Sequence, residues 1–253
     1  MKVNLSSKDI HHGSLIVVNG EHGLPFNYSC QTFPVDEHSG ITMQRNAAVL
    51  LGKLLESAGN GEIVLVSGCR TAEEQQKIWD ESLRENGREF TEKYVARPFH
   101  SEHQTGLAID LGENRENIDF IRPDFPYDGV CGEFRRRAAD YGFVERYSKG
   151  KEKITGIAHE PWHFRYVGVP HAEIMNAKDF TLEEYVHWLR KFRYGHSPLV
   201  FRKESLCAEI SFLETRGAEI ELTEPFSVSG NNYDGFIITQ ISRADSSCTG
   251  AIS

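Results

Sequence analysis

The chain has few cysteines, no excess of basic charge and no long apolar run, and each shortage excludes something. Its five cysteines (Cys30, Cys69, Cys131, Cys207, Cys248) include no CxxC pair, and their number is odd. At 253 residues the chain can bury a full core, so a disulfide framework of the kind that staples small secreted domains is not expected. Cys69, beside Arg70, reads first as a small buried thiol rather than a nucleophile. Lys and Arg number 28 against 37 Asp and Glu, a net charge of −9. With no basic run interleaved with aromatics, that balance argues against a partner that is nucleic acid or an anionic membrane. The apolar piece at residues 15–18 is too short for a signal-peptide core or a membrane span, so a cytoplasmic chain is expected. No internal repeat is visible.

What is present reads as one core with a small second unit. Residues 1–40 are irregular and rich in Gly, His, Pro and Asn, with one strand candidate at 15–18. His11, His12, His22 and His38 lie here without acidic or sulfur partners at ligand spacing and read as surface residues. Residues 43–58 carry Ala47, Leu50, Leu51, Leu54, Leu55 and Ala58 at intervals of three and four, the period of an amphipathic helix. Gly59-Asn60-Gly61 ends it. A β-branched run at 62–67 predicts a strand, and Thr71 with Glu74 predicts a capping box opening a helix that ends near Asn86-Gly87, with a connector over 88–100. Arg70 falls at this strand–helix junction, with Gln75 in the first helical turn facing the same opening. Position alone leaves two roles for Arg70: a carboxylate or oxyanion ligand, or a surface partner of Glu73 or Glu74.

The most informative stretch is Ser101-Glu102-His103-Gln104-Thr105-Gly106-Leu107-Ala108-Ile109-Asp110. With residues 107–111 as a strand, Leu107, Ile109 and Leu111 share a core face, while small residues surround Asp110 on the other. A face of that kind leaves room for a metal and a ligand. The Gly/Pro/Asp-rich loop over 112–132 adjoins it and is expected to set substrate length. A helix over 133–141, a strand over 142–146, an alternating strand over 162–167 and helices over 170–177 and 181–192 follow. In the alternating strand His163 and Arg165 share one face, and Trp162, Phe164 and Tyr166 the other. Near residue 194 the character changes to short strands at 208–213, 218–222 and 236–241, with Gly230-Asn231-Asn232 as a turn and a polar, mobile end. The expected division is a catalytic domain over 1–193 and a β-rich appendage over 194–253.

His159-Glu160-Pro161-Trp162-His163 has the HExxH spacing of helical zinc sites. Pro161 would break such a helix, removing a hydrogen bond and clashing with the preceding turn. A strand site is the better reading: zinc on His103, Asp110 and His163, with Glu160 as base and His159 without a required role. Three protein ligands and an open position are what a hydrolytic zinc needs. The other reading, ordinary buried histidines and a surface aspartate, stays open on spacing alone.

SxHxxGxAxD (Ser101 to Asp110), ExWH (Glu160 to His163) and SGxR (Ser67 to Arg70) ahead of Glu74-Gln75 together resemble the zinc D,D-peptidases of the VanY, VanX and VanXY group. These share a metallopeptidase fold with phage endolysin peptidases and the hedgehog signalling domain. The likeness spans roughly residues 14–190. Cys69 departs from it, standing where such carboxypeptidases often have Tyr or Phe. The resemblance implies an α+β fold, with a small antiparallel sheet carrying the site on one face, helices on the other and a C-terminal β appendage outside the family pattern. It implies Zn²⁺ on His103, Asp110 and His163, Glu160 as catalytic base, Arg70 on the oxyanion, and Ser101 and Gln75 holding the terminal D-residue. The implied reaction is hydrolysis of D-Ala-D-Ala, as free dipeptide or at the end of peptidoglycan precursor peptides, sparing D-Ala-D-Ser ends. An unanchored chain favours the two-activity VanXY type of vancomycin resistance. A same-fold peptidoglycan endopeptidase and a non-enzymatic zinc-binding module are the rivals.

Overall fold

The computed structural model describes residues 1–59, 61–214, 218–223 and 225–243. In chain order the elements are β1 (Lys2–Leu5), β2 (Thr32–Pro34), β3 (Thr42–Gln44), α1 (Arg45–Gly59), β4 (Ile63–Ser67), α2 (Ala72–Tyr94), β5 (Ala108–Glu113), α3 (Gly129–Ala138) and β6 (Phe143–Glu145). There follow α4 (Glu152–Thr155), β7 (His163–Tyr166), α5 (His171–Lys178), α6 (Leu182–Leu189), β8 (Leu199–Lys203), β9 (Leu206–Glu214), β10 (Ala218–Glu221), β11 (Phe226–Gly230) and β12 (Gly235–Arg243). The fold is α+β, and contacts divide the chain into two compact units: Val18–Thr181, and Met1–Val17 with Leu182–Ser253.

The first unit is built on a four-stranded antiparallel sheet in the order β4-β5-β7-β6. One face is apolar for the reason the alternation predicts. Ile109, Leu111 and Phe164 point into a core with Ala47, Leu51 and Leu54 of α1 and Phe134 of α3, all buried. Each such leucine contributes about 1.5–3 kcal/mol on leaving water. Trp162 belongs to the same core and Tyr166 packs against it, so the aromatic face of β7 is core. Asp110 and His163, one register step apart from these residues, turn to the opposite face.

Local sequence sets the sheet's entrances. Thr71 caps α2 by accepting from the Glu74 amide, and the Glu74 carboxylate accepts from the Thr71 amide, the capping box expected. The helix does not end near Gly87. It kinks there, at φ 78° and ψ 171°, and resumes to Tyr94, so part of the expected connector is helical. The helix expected from residue 43 starts at Arg45, because residues 42–44 form β3 against β2. Residues 15–18 are buried but form no strand. Their apolar character comes from burial, a signal that does not distinguish extended pairing from a packed loop.

In the second unit a sheet in the order β11-β12-β9-β8 is antiparallel throughout, and β1 pairs separately with β10. Leu5, Ile220, Leu222, Phe236 and Ile238 form its core. Strands β1, β8 and β11 were not expected. The polar end expected to be mobile lies, beyond residue 243, outside the described residues, as does Cys248. Among the described residues no helix is long and apolar enough to cross a membrane.

Candidate active site

Three elements bring the motif residues together. Asp110 on β5 and His163 on β7 are direct cross-strand partners, so the sheet itself sets their spacing. On the other side of Asp110 its partner is Ser67 at the end of β4. His103 comes from a short 3₁₀ turn, Glu102–Thr105, which Gly106 closes at φ 68° before the chain enters β5. A side chain on Gly106 would press on Cys30 Sγ and the Gln44 backbone as well as straining that conformation. Gly68 is fixed for another reason: a Cβ there would sit 2.6 Å from the Thr42 carbonyl.

His103, Asp110 and His163 are buried, and one ligand atom from each lies within 4.8 Å of the others. His103 Nε2 is 3.1 Å from Asp110 Oδ2 and His163 Nδ1 is 2.9 Å from Asp110 Oδ1. The second nitrogen of each ring is held from behind. His103 Nδ1 donates to the Gly68 carbonyl at 2.7 Å, and His163 Nε2 lies 3.3 Å from Glu102 Oε2. Burial, then the Arg70 charge, hold His103 below its ordinary pKa, outweighing Asp110. With its proton on Nδ1, neutral His103 turns a lone pair towards a carboxylate oxygen. Two acceptors facing each other across 3.1 Å are what a cation resolves, and the imidazole–carboxylate–imidazole donor set suits one.

Charge is arranged steeply around this centre. Burial penalises the Asp110 charge, but His103 and His163 outweigh it and keep the carboxyl well below its usual range. Burial alone would lower His163, yet hydrogen bonds to Asp110 and Glu102 raise it to about 9. Glu160 is different: burial dominates and lifts it to about 8. Its Oε2 lies 3.8 Å from His163 Nδ1. Arg70 donates from Nη2 to Asp110 Oδ2 at 2.9 Å and from Nε to Ser67 Oγ at 2.8 Å, with Nη1 3.4 Å from Gln75 Oε1. It therefore turns inward rather than to Glu73 or Glu74. Gln75 is buried and donates to the Ala96 carbonyl at 2.8 Å.

Arg70, Gln75, Ser101, His103, Asp110, Glu160 and His163 all line one cleft of about 170 Å³. Ile78, Tyr94 and Trp162 give it apolar walls, and Phe120 and Ile121, 73% and 65% exposed, form a rim from the loop between β5 and α3. His159 stands apart. Its Nε2 is 2.8 Å from the Tyr127 hydroxyl, which donates to Glu145 at 2.7 Å. The Pro161 carbonyl accepts from Arg135 at 2.7 Å, pinning the turn between His159 and His163. Sequence reasoning passed over Glu102, Arg146 and Arg165, which form a buried ionic cluster behind His163. The placement of Arg165 on the His163 face was the one signal pointing to it.

The family model for VanY, D-alanyl-D-alanine carboxypeptidase, matches residues 40–169. The bifunctional D-Ala-D-Ala dipeptidase and D-Ala-D-Ala carboxypeptidase VanXYC of Enterococcus gallinarum is 40% identical over 181 residues, covering 70% of this chain and 95% of that protein. Among solved structures, the vancomycin resistance D,D-dipeptidase VanXYg in complex with a D-Ala-D-Ala phosphinate analog superposes with a TM-score of 0.92 at 46% identity. That alignment covers 96% of this chain and 99% of the other. A mutant of the D,D-pentapeptidase VanY from the VanB-type resistance cassette, in complex with Zn(II), gives a TM-score of 0.57 at 30% identity, over 68% and 98% of the two chains. The chain belongs to the VanY family of D-alanyl-D-alanine carboxypeptidases.

Proposed function

We propose that this chain is a zinc peptidase that hydrolyses the D-Ala-D-Ala bond, both in the free dipeptide and at the end of peptidoglycan precursor peptides, as in vancomycin resistance. The observation that carries this is the convergence of His103, Asp110 and His163 at ligand distance, with Glu160 on one side and Arg70 on the other. Zinc held by the three would supply a Lewis acid and lower the pKa of a water from 15.7 to about 7.

The chain's own groups do the rest. Glu160, buried at the edge of the three proposed ligands, takes the proton of the attacking water and delivers it to the leaving amine. Arg70 donates to the oxygen that becomes negative as the carbonyl turns tetrahedral. Ser101 and Gln75 hold the terminal D-residue, and Ile78 and Trp162 exclude water from it. Residues 112–132, whose Phe120 and Ile121 rim the cleft, set the length of peptide accepted. All the proposed site residues precede residue 194, so we keep 1–193 as the functional extent of catalysis and 194–253 as accessory. A cytoplasmic location belongs to the same proposal. The test is zinc content together with release of D-Ala from dipeptide, pentapeptide and intact peptidoglycan. Release from polymer alone would move the assignment to an endopeptidase.

Two further outcomes are expected. Arg70→Ala should lower kcat by about 10²–10³ while KM changes little, because the interaction strengthens in the transition state. A rise in KM alone would make Arg70 a clamp on the substrate carboxylate. Zinc affinity should also depend on pH. His163 is protonated below about 9 in the metal-free protein and must lose that proton to ligate. Affinity should therefore rise roughly tenfold per pH unit from neutrality towards 9, read by chelator competition. A flat profile would remove His163 from the ligand set.

A further inference from the structure

We propose that Glu102 is a positioning residue that fixes the tautomer and plane of His163, so that Nε2 carries the proton and Nδ1 is left for the cation; this rests on the zinc reading above. Glu102 directly precedes one proposed ligand, yet its side chain, fully buried, turns to the other. Its Oε2 lies 3.3 Å from His163 Nε2. Its Oε1 accepts from Arg146 Nε at 2.8 Å and from Arg165 Nη1 at 2.6 Å, both guanidinium groups being buried. A carboxylate clamped between two guanidinium groups is an acceptor only, so Nε2 keeps its proton when a cation replaces the one on Nδ1, which faces Asp110 Oδ1 at 2.9 Å.

The clamp is tied to the strand it controls. Arg165 is two residues along β7 from His163 on the same face, and the Arg146 amide donates to the His163 carbonyl at 2.9 Å. His103, in contrast, is oriented by a backbone carbonyl, Gly68 O, and offers Nε2. The two imidazoles thus present different nitrogens to one centre, and the second does so because of Glu102. A carboxylate behind a ligating imidazole also strengthens it as a donor.

Histidine ¹⁵N NMR of the zinc-loaded full chain reads this directly in the unmutated protein. Protonated Nε2 with ligated Nδ1 at His163, and the reverse at His103, is expected. His163 ligated through Nε2 overturns the positioning role alone. Glu102→Asp keeps the charge beside the arginines but withdraws it from Nε2, and should weaken zinc binding by about 10–100-fold with unchanged circular dichroism. Unchanged affinity in that folded variant overturns the role as well. A His163→Ala protein that binds zinc as tightly as the unmutated chain overturns the zinc reading itself, and Glu102's role with it.

Discussion

Glu160→Ala is expected to bind one zinc per chain and to lose about 10²–10⁴ of turnover, the range a positioned general base contributes. The separation of the two readouts follows from geometry. Among the described residues the three groups placed to share a cation are His103, Asp110 and His163, and Glu160 is not among them. Its Oε2 stands off His163 Nδ1 at 3.8 Å, and its backbone amide is fixed by the Tyr147 carbonyl at 3.1 Å. Removing the side chain therefore leaves the proposed ligands and their supports in place. Burial pushes this carboxyl up in the metal-free protein, which favours proton uptake from a neighbouring water. Glu160→Gln should behave in the same way, since it preserves shape and removes only basicity. Either variant emerging metal-free would make Glu160 a ligand, and the zinc site would have to be rebuilt around it.

His163→Ala should abolish zinc binding and activity together, whereas His159→Ala should retain metal with a moderate kinetic loss. A helical HExxH site would make the two equivalent. Here the chain turns at Pro161, Arg135 holds the Pro161 carbonyl, and His163 enters β7 opposite Asp110. His159 instead pairs with Tyr127, its ring stacked at 13° on the phenol 6.3 Å away. Losing it loosens that outer wall and shifts Glu160 slightly. Zinc per chain, measured in both purified variants, decides the matter, and equal loss would restore the helical interpretation.

The site was more legible in the sequence than much of the scaffold. Alternation placed Ile109 and Leu111 in the core and left Asp110 on the open face, because a strand's two-residue period admits no other arrangement. Pro161 was equally informative, since in the interior of a helix it removes a hydrogen bond and clashes with the preceding turn. Other features depend on partners distant in sequence. Nothing near Lys2–Leu5 announces a strand whose partner is β10, and Gly87 reads as a terminator although the helix resumes beyond it. The proposed role of Glu102 was invisible for a similar reason. A glutamate beside a proposed ligand looks like surface charge until Arg146 and Arg165, more than forty residues on, are found around it.

The split composition of the second unit bears on how the protein is made. Met1–Val17 and Leu182–Ser253 belong to one unit, while Val18–Thr181 forms the other between them. During synthesis, the inserted unit has all its strands and helices available once Thr181 has left the ribosome. Strand β1 emerges before β10 and must wait for it to be translated before it can pair. It is thus settled later than the elements translated between it and its partner. A ribosome stalled with Thr181 just outside it would display a nascent chain with the proposed site residues complete and β1 still without a mate.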